Sequence, residues 1–154
     1  MEKVIIVHGW EGNPNNCWFP WLKKELEERD FKVVIPSMPN PDEPSIHLWI
    51  GHLKRKVGEV NEKTYFVGHS IGCQAIMRYL ETLPKKTRIG GIVFVAGFFN
   101  LPFLETKEEK EIAKPWLKTE INTKKIKMMT NNIVAIFSDD DPDVSIKDSE
   151  LFKE

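Results

Sequence analysis

The chain has 154 residues, enough for one domain with a substantial core. Its 22 Lys and Arg balance 23 Asp and Glu, which leaves no electrostatic footprint for nucleic acid or an anionic membrane surface. The two cysteines, Cys17 and Cys73, suggest neither a disulfide framework nor a zinc site, and no apolar run is long enough to span a bilayer. We therefore expect a cytoplasmic protein with a single domain over residues 1–154.

Val4 to Val7 is a continuous β-branched run, the pattern of a strand buried on both faces. It ends in His8-Gly9-Trp10-Glu11-Gly12, a glycine-bearing loop able to turn a backbone N–H toward a site. Phe19 to Arg29 reads as a helix with Pro20 in its first turn, and Trp18 and Trp21 read as core anchors. Phe31 to Ile35 is the second strand, and the four prolines between Pro36 and Pro44 exclude regular structure there. Ser45 is a candidate N-cap for a helix running to about Val60. His47 and His52 are five apart, a poor spacing for two ligands on one helical face, and read as surface or boundary residues.

Thr64 to Cys73 carries the strongest signal in the chain. An apolar and aromatic run ends in Gly68-His69-Ser70-Ile71-Gly72, and a helical pattern of Ala75, Ile76, Tyr79 and Leu80 follows at once. Strand, tight turn, serine and helix make the nucleophile elbow of α/β-hydrolases, in which the turn lifts the serine hydroxyl clear of the sheet. The Ile71 N–H opens the helix and faces the place where an oxyanion would form.

Gly91 to Gly97 contains the fourth strand. Residues 98–127 mix aromatics with the charged run Lys107 to Lys114, and two readings stand open: a lid-like segment at the site edge, or a plain crossover with a solvated face. Asn132 to Phe137 is the fifth strand, leading into Ser138-Asp139-Asp140-Asp141-Pro142-Asp143. Ser145 is a candidate cap for a last helix through Phe152. Strands alternating with helices predict a three-layer α/β fold with a parallel sheet of about five strands, and likeness to an α/β-hydrolase implies the order 2-1-3-4-5. Right-handed crossovers place the strand ends on one edge, which brings His8-Gly9-Trp10, Ser70 and the aspartates together.

The acidic cluster has three readings: a carboxylate that orients a catalytic histidine, a solvated loop, or a calcium loop. Asp139, Asp141, Asp143 and Glu150 match EF-hand spacing, but Val144 stands where a glycine is needed.

With these motifs together, the chain resembles the small serine hydrolase family of the retinoblastoma-binding-protein type and its bacterial relatives. The resemblance rests on His8-Gly9-Trp10, Trp18 to Leu26, Pro36-Ser37-Met38-Pro39 and Val67-Gly68-His69-Ser70. Met77-Arg78-Tyr79, Pro115-Trp116 and Ser138 to Pro142 complete it. It implies an α/β-hydrolase domain with a Ser-Asp-His triad, esterase-like activity on small-molecule esters and no cofactor. Carried onto this chain, the nucleophile is Ser70. The acid is Asp141, which alone precedes the proline. The oxyanion donors are the N–H groups of Ile71 and Trp10. The family's catalytic histidine follows the Asp loop, whereas no histidine follows His69 here. We therefore expect a chain cut short at its carboxyl end, lacking a strand and a helix. Its fifth strand would be an exposed edge open to self-association or a protein partner. The rival expectation is a non-catalytic binding module on the same fold.

Overall fold

The computed structural model describes residues 1–154. The strands are β1 (Lys3–Val7), β2 (Lys32–Val34), β3 (Thr64–His69), β4 (Gly91–Val95) and β5 (Ile133–Ile136). The helices are α1 (Phe19–Glu27), α2 (Ile46–Val57), α3 (Ile71–Glu81), α4 (Lys107–Lys118), α5 (Thr123–Lys127) and α6 (Asp148–Lys153). All strand pairs are parallel, as the alternation of elements predicts, and the order is β2-β1-β3-β4-β5, as expected for an α/β-hydrolase-like fold. Val4 to Val7 are all buried, because a central parallel strand is covered on both faces and can carry an unbroken apolar run.

The two faces of the sheet differ. On one, α2 and α3 close a core of 23 buried residues that includes Trp49, Leu53, Phe66, Ile76 and Trp116. On the other, only 5 buried residues, among them Phe19 of α1, form the second layer. That thin layer leaves an apolar groove open between Trp21 and Leu22 of α1 and Val134 and Ile136 of β5. Trp21 is accordingly 62% exposed, not a core anchor as the helical stripe suggests. It sits on the flank of α1 that nothing covers. Trp18 is half-buried and packs edge-on against Phe19.

Helix ends follow local chemistry. Ser45 Oγ accepts the Leu48 N–H at the start of α2, and Gly58 at φ 70° ends that helix after Val57, short of the expected Val60. Thr106 and Glu109 form a reciprocal capping box at the start of α4. The last helix begins at Asp148, later than a Ser145 cap implies, because Ser145 Oγ closes a local turn by accepting from Lys147 N. Helix α4 is fastened to the core. Its Trp116 is buried, the indole N–H donates to Pro44 O at 2.8 Å, and Arg78 donates to the carbonyls of Trp116 and Thr119. Residues 107–118 are thus anchored crossover, and of them only Glu109 in the first turn joins the preceding segment in bordering the candidate site.

Candidate active site

Ser70 stands between β3 and α3 with φ 55° and ψ −121°, a conformation that L-residues with a Cβ rarely adopt. The surroundings hold it there. Ser70 N donates to Val95 O at 2.9 Å, and Cys73 N donates to Ser70 O at 3.0 Å. Two flanking glycines allow the turn. A Cβ on Gly68 would lie 2.8 Å from the backbone of Cys73, and one on Gly72 would lie 2.7 Å from His8 O and closer still to Val7 O. Helix α3 therefore rests directly on the ends of β1 and β3, with Ile71 as its first residue.

A cavity of about 460 Å³ opens beside Ser70. It is lined by Gly9, Trp10, Glu11 and Gly12 from the loop after β1, by His69 and Ser70, and by Phe98, Leu101, Phe103 and Leu104 from the segment after β4. The loop after β1 is built around His8, which is fully buried. His8 Nδ1 bonds Gly9 O at 2.8 Å, and its Nε2 accepts the Met38 N–H at 3.0 Å. The ring is thus neutral with its proton on Nδ1, and burial lowers its pKa from the ordinary value. Both nitrogens are engaged, so His8 shapes the loop and has no free lone pair for proton transfer. Trp10 is fixed at its ring, where Nε1–H donates to Asp42 O at 2.8 Å, while its backbone N–H donates to no backbone acceptor. The first N–H groups of a helix, here that of Ile71, have no intrahelical acceptor either.

His69 also lines the cavity, although a residue before an elbow serine is expected to turn away from it. Its ring meets Trp18 at 5.7 Å and Phe19 at 5.8 Å, both edge-on, so it is held by the α1 side of the sheet. Burial lowers its pKa, and the nearby charge of Asp141 partly opposes that shift. Asp141 follows β5, so the parallel topology puts it on the same sheet edge as the elbow. Its Oδ1 accepts from Asp143 N at 2.8 Å and Val144 N at 3.0 Å, an Asx turn that leaves Oδ2 for another partner. Asp143, rather than Asp141, appears in the cavity wall. The acidic residues do not converge as metal ligands would. His47 is exposed and His52 half-buried on α2, as their spacing suggests.

Two polar residues that hold the site are not apparent from the sequence. Asp148 is 3% exposed, and its Oδ2 accepts from Phe99 N at 2.7 Å and Asn100 N at 3.0 Å. Gln74 Nε2 donates to Phe98 O at 3.0 Å, and Arg78 binds the opposite end of that amide. Both clamp the start of the cavity wall. An acidic residue in a first helical turn signals only a helix dipole, and a polar residue on α3 only an exposed face, so neither pattern announces a long-range partner.

A parallel sheet of this order, with a serine at a strained strand-to-helix turn on its carboxyl edge, is an α/β-hydrolase fold with a nucleophile elbow. The serine hydrolase family profile matches residues 4–154, and the chain belongs to that family. It is 41% identical to YdeN of Bacillus subtilis (strain 168) over 109 residues, which are 70% of this chain and only 57% of that protein. It is 28% identical to the serine hydrolase RBBP9 of Rattus norvegicus over 143 residues, 91% of this chain and 72% of the other. The crystal structure of the B. subtilis ydeN gene product superposes with a TM-score of 0.87 at 35% identity, over 99% of this chain and 79% of that one. Est1E from Butyrivibrio proteoclasticus shares the fold, with a TM-score of 0.70 at 15% identity over 98% of this chain and 72% of its own.

Proposed function

We propose that the chain carries the nucleophile and the acid of a serine hydrolase acting on carboxylic esters. Ser70 Oγ attacks the acyl carbon and gives its proton to a histidine lying beyond residue 154. That proton then passes to the departing alcohol, and water releases the acyl group from Ser70 by the reverse sequence. Asp141 orients that histidine through the carboxylate oxygen its own turn leaves free. The N–H groups of Ile71 and Trp10 receive the oxyanion. The observation that carries this reading is Ser70 held at φ 55° beside an open cavity, a strained arrangement that a merely structural serine has no use for.

The test uses a longer version of the chain that supplies a histidine after Asp141. It is expected to hydrolyse p-nitrophenyl esters, and Ser70→Ala is expected to lower turnover by at least about 10³-fold. The chain as it stands should retain only the residual rate, roughly 10³–10⁴-fold over water, that oxyanion donors and binding supply without a base. Absence of turnover together with absence of a fluorophosphonate adduct at Ser70 would overturn the reading. One observation favours the rival binding module: His8 is engaged at both nitrogens, and His69 is packed against Trp18 and Phe19. A stop codon directly after residue 154, with no labelling at Ser70, would decide for it.

A further inference from the structure

The cavity beside Ser70 has two unlike sides. Phe98, Leu101, Phe103 and Leu104 make one of them apolar, and Glu11, Glu109 and Asp143 bring three carboxylates to a lining that holds no Lys or Arg. The whole chain is nearly neutral, so this one-signed lining is a local feature. We propose, building on the serine hydrolase reading above, that the cavity selects esters with an apolar acyl chain, admitting neutral or cationic substrates and turning anionic ones away.

The backbone of Glu11 and the carboxylate of Glu109 are held in place. Glu11 sits at φ 60°, with its N–H donating to Pro41 O at 2.8 Å. Glu109 Oε2 accepts from Glu105 N at 3.0 Å and Thr106 N at 3.1 Å, and these bonds lower its pKa, so it stays ionised at neutral pH. Lys110 stands near enough to Glu109 for its charge to help lower that pKa, but neither it nor any other Lys or Arg lines the cavity, and burial keeps the His69 ring neutral. A cleft lined by one sign of charge focuses the field and changes entry of charged ligands by about 10- to 10³-fold, less at high salt.

The apolar side is fixed at both ends and open between them. Gln74 and Asp148 clamp Phe98, Phe99 and Asn100, and the capping box fixes Thr106. Between these points Phe103 is 55% exposed, an aromatic ring in the wall of a cavity beside the nucleophile. An acyl chain laid against it would remove that surface from water.

The test is equilibrium binding of three matched probes, octanamide, octyltrimethylammonium and octanoate, followed by amide chemical shifts at low salt. Octanamide and octyltrimethylammonium are expected to shift Trp10, Ser70 and Leu101 to Leu104, with octanoate at least about tenfold weaker than octanamide. Salt at about 0.5 M should narrow that gap, as should the double variant Glu11→Gln, Glu109→Gln, in which the glutamine preserves the capping box. Phe103→Ala should weaken all three probes about fivefold. Octanoate binding as tightly as octanamide would overturn the proposal, as would no probe shifting those amides. The titration makes and breaks no bond. Its failure would leave ester hydrolysis by Ser70 standing, and loss of hydrolysis would leave the charge discrimination standing.

Discussion

Ser70 and Asp141 stand after two strands of the same sheet, but the two strands hold them differently. β3 lies in the middle, paired with β1 on one side and β4 on the other, and α3 rests on the strand ends with no room for a single methyl at Gly68 or Gly72. β5 is an edge strand paired only with β4, and all four of its residues are exposed. Asp141 is positioned by its own turn, with buried Val144 and Asp148 just beyond tying the loop back to the body. The geometry of Ser70 is thus a property of the core, while that of Asp141 is a local property with two anchors. Substitutions near the first should act on the whole fold, and those near the second only on the loop unless they remove one of its buried anchors.

The largest effect should come from Gly72→Ala, which forces backbone carbonyls of Val7 and His8 apart from α3. We expect a loss of at least about 4 kcal/mol in urea unfolding, or no folded protein. A cost below about 1 kcal/mol would break the comparison. Asp148→Ala should follow, at about 2–3 kcal/mol, because it strands the N–H groups of Phe99 and Asn100. Asp148→Asn keeps one acceptor and should cost less by the same measurement.

Acid sensitivity should lie on the elbow side. His8 and His69 both have pKa values lowered by burial from the ordinary 6.5. Over the interval between the lowered and the ordinary value, the unfolded chain binds more protons than the folded one. Stability is therefore complete above about pH 6.5 and is lost as pH falls toward the lowered folded values. A flat unfolding free energy between pH 8 and 5 would contradict this. Asp141→Asn should lower the His69 pKa further, read by NMR titration, since that charge opposes the shift. The smallest effect should come from Val134→Lys or Ile136→Lys on the exposed edge. Stability should change by no more than about 0.5 kcal/mol, while any self-association seen in sedimentation should fall.

Much of the frame is legible in the amino-acid order, because it depends on local patterns. Val4 to Val7 and Ile92 to Val95 are unbroken apolar runs, which suit strands covered on two faces, and crossover handedness then brings their carboxyl ends to one edge. The elbow is legible because its turn demands glycine at Gly68 and Gly72. Periodicity could not show which flank of α1 goes uncovered, and so it placed Trp21 inside. The clamp made by Asp148 and the carboxylates of Glu11 and Glu109 in one cavity depend on segments brought together only by folding. Thr106 and Glu109 form a local capping box, yet nothing in their spacing tells that the glutamate faces a cavity built from segments distant in the chain.

The most direct measurement is the site and rate of fluorophosphonate labelling, mapped by peptide mass spectrometry, on a version of the chain that supplies a histidine after Asp141. A single adduct on Ser70, formed more slowly in Asp141→Asn and absent in Ser70→Ala, is the predicted result. An adduct on any other residue, or none, would contradict the account.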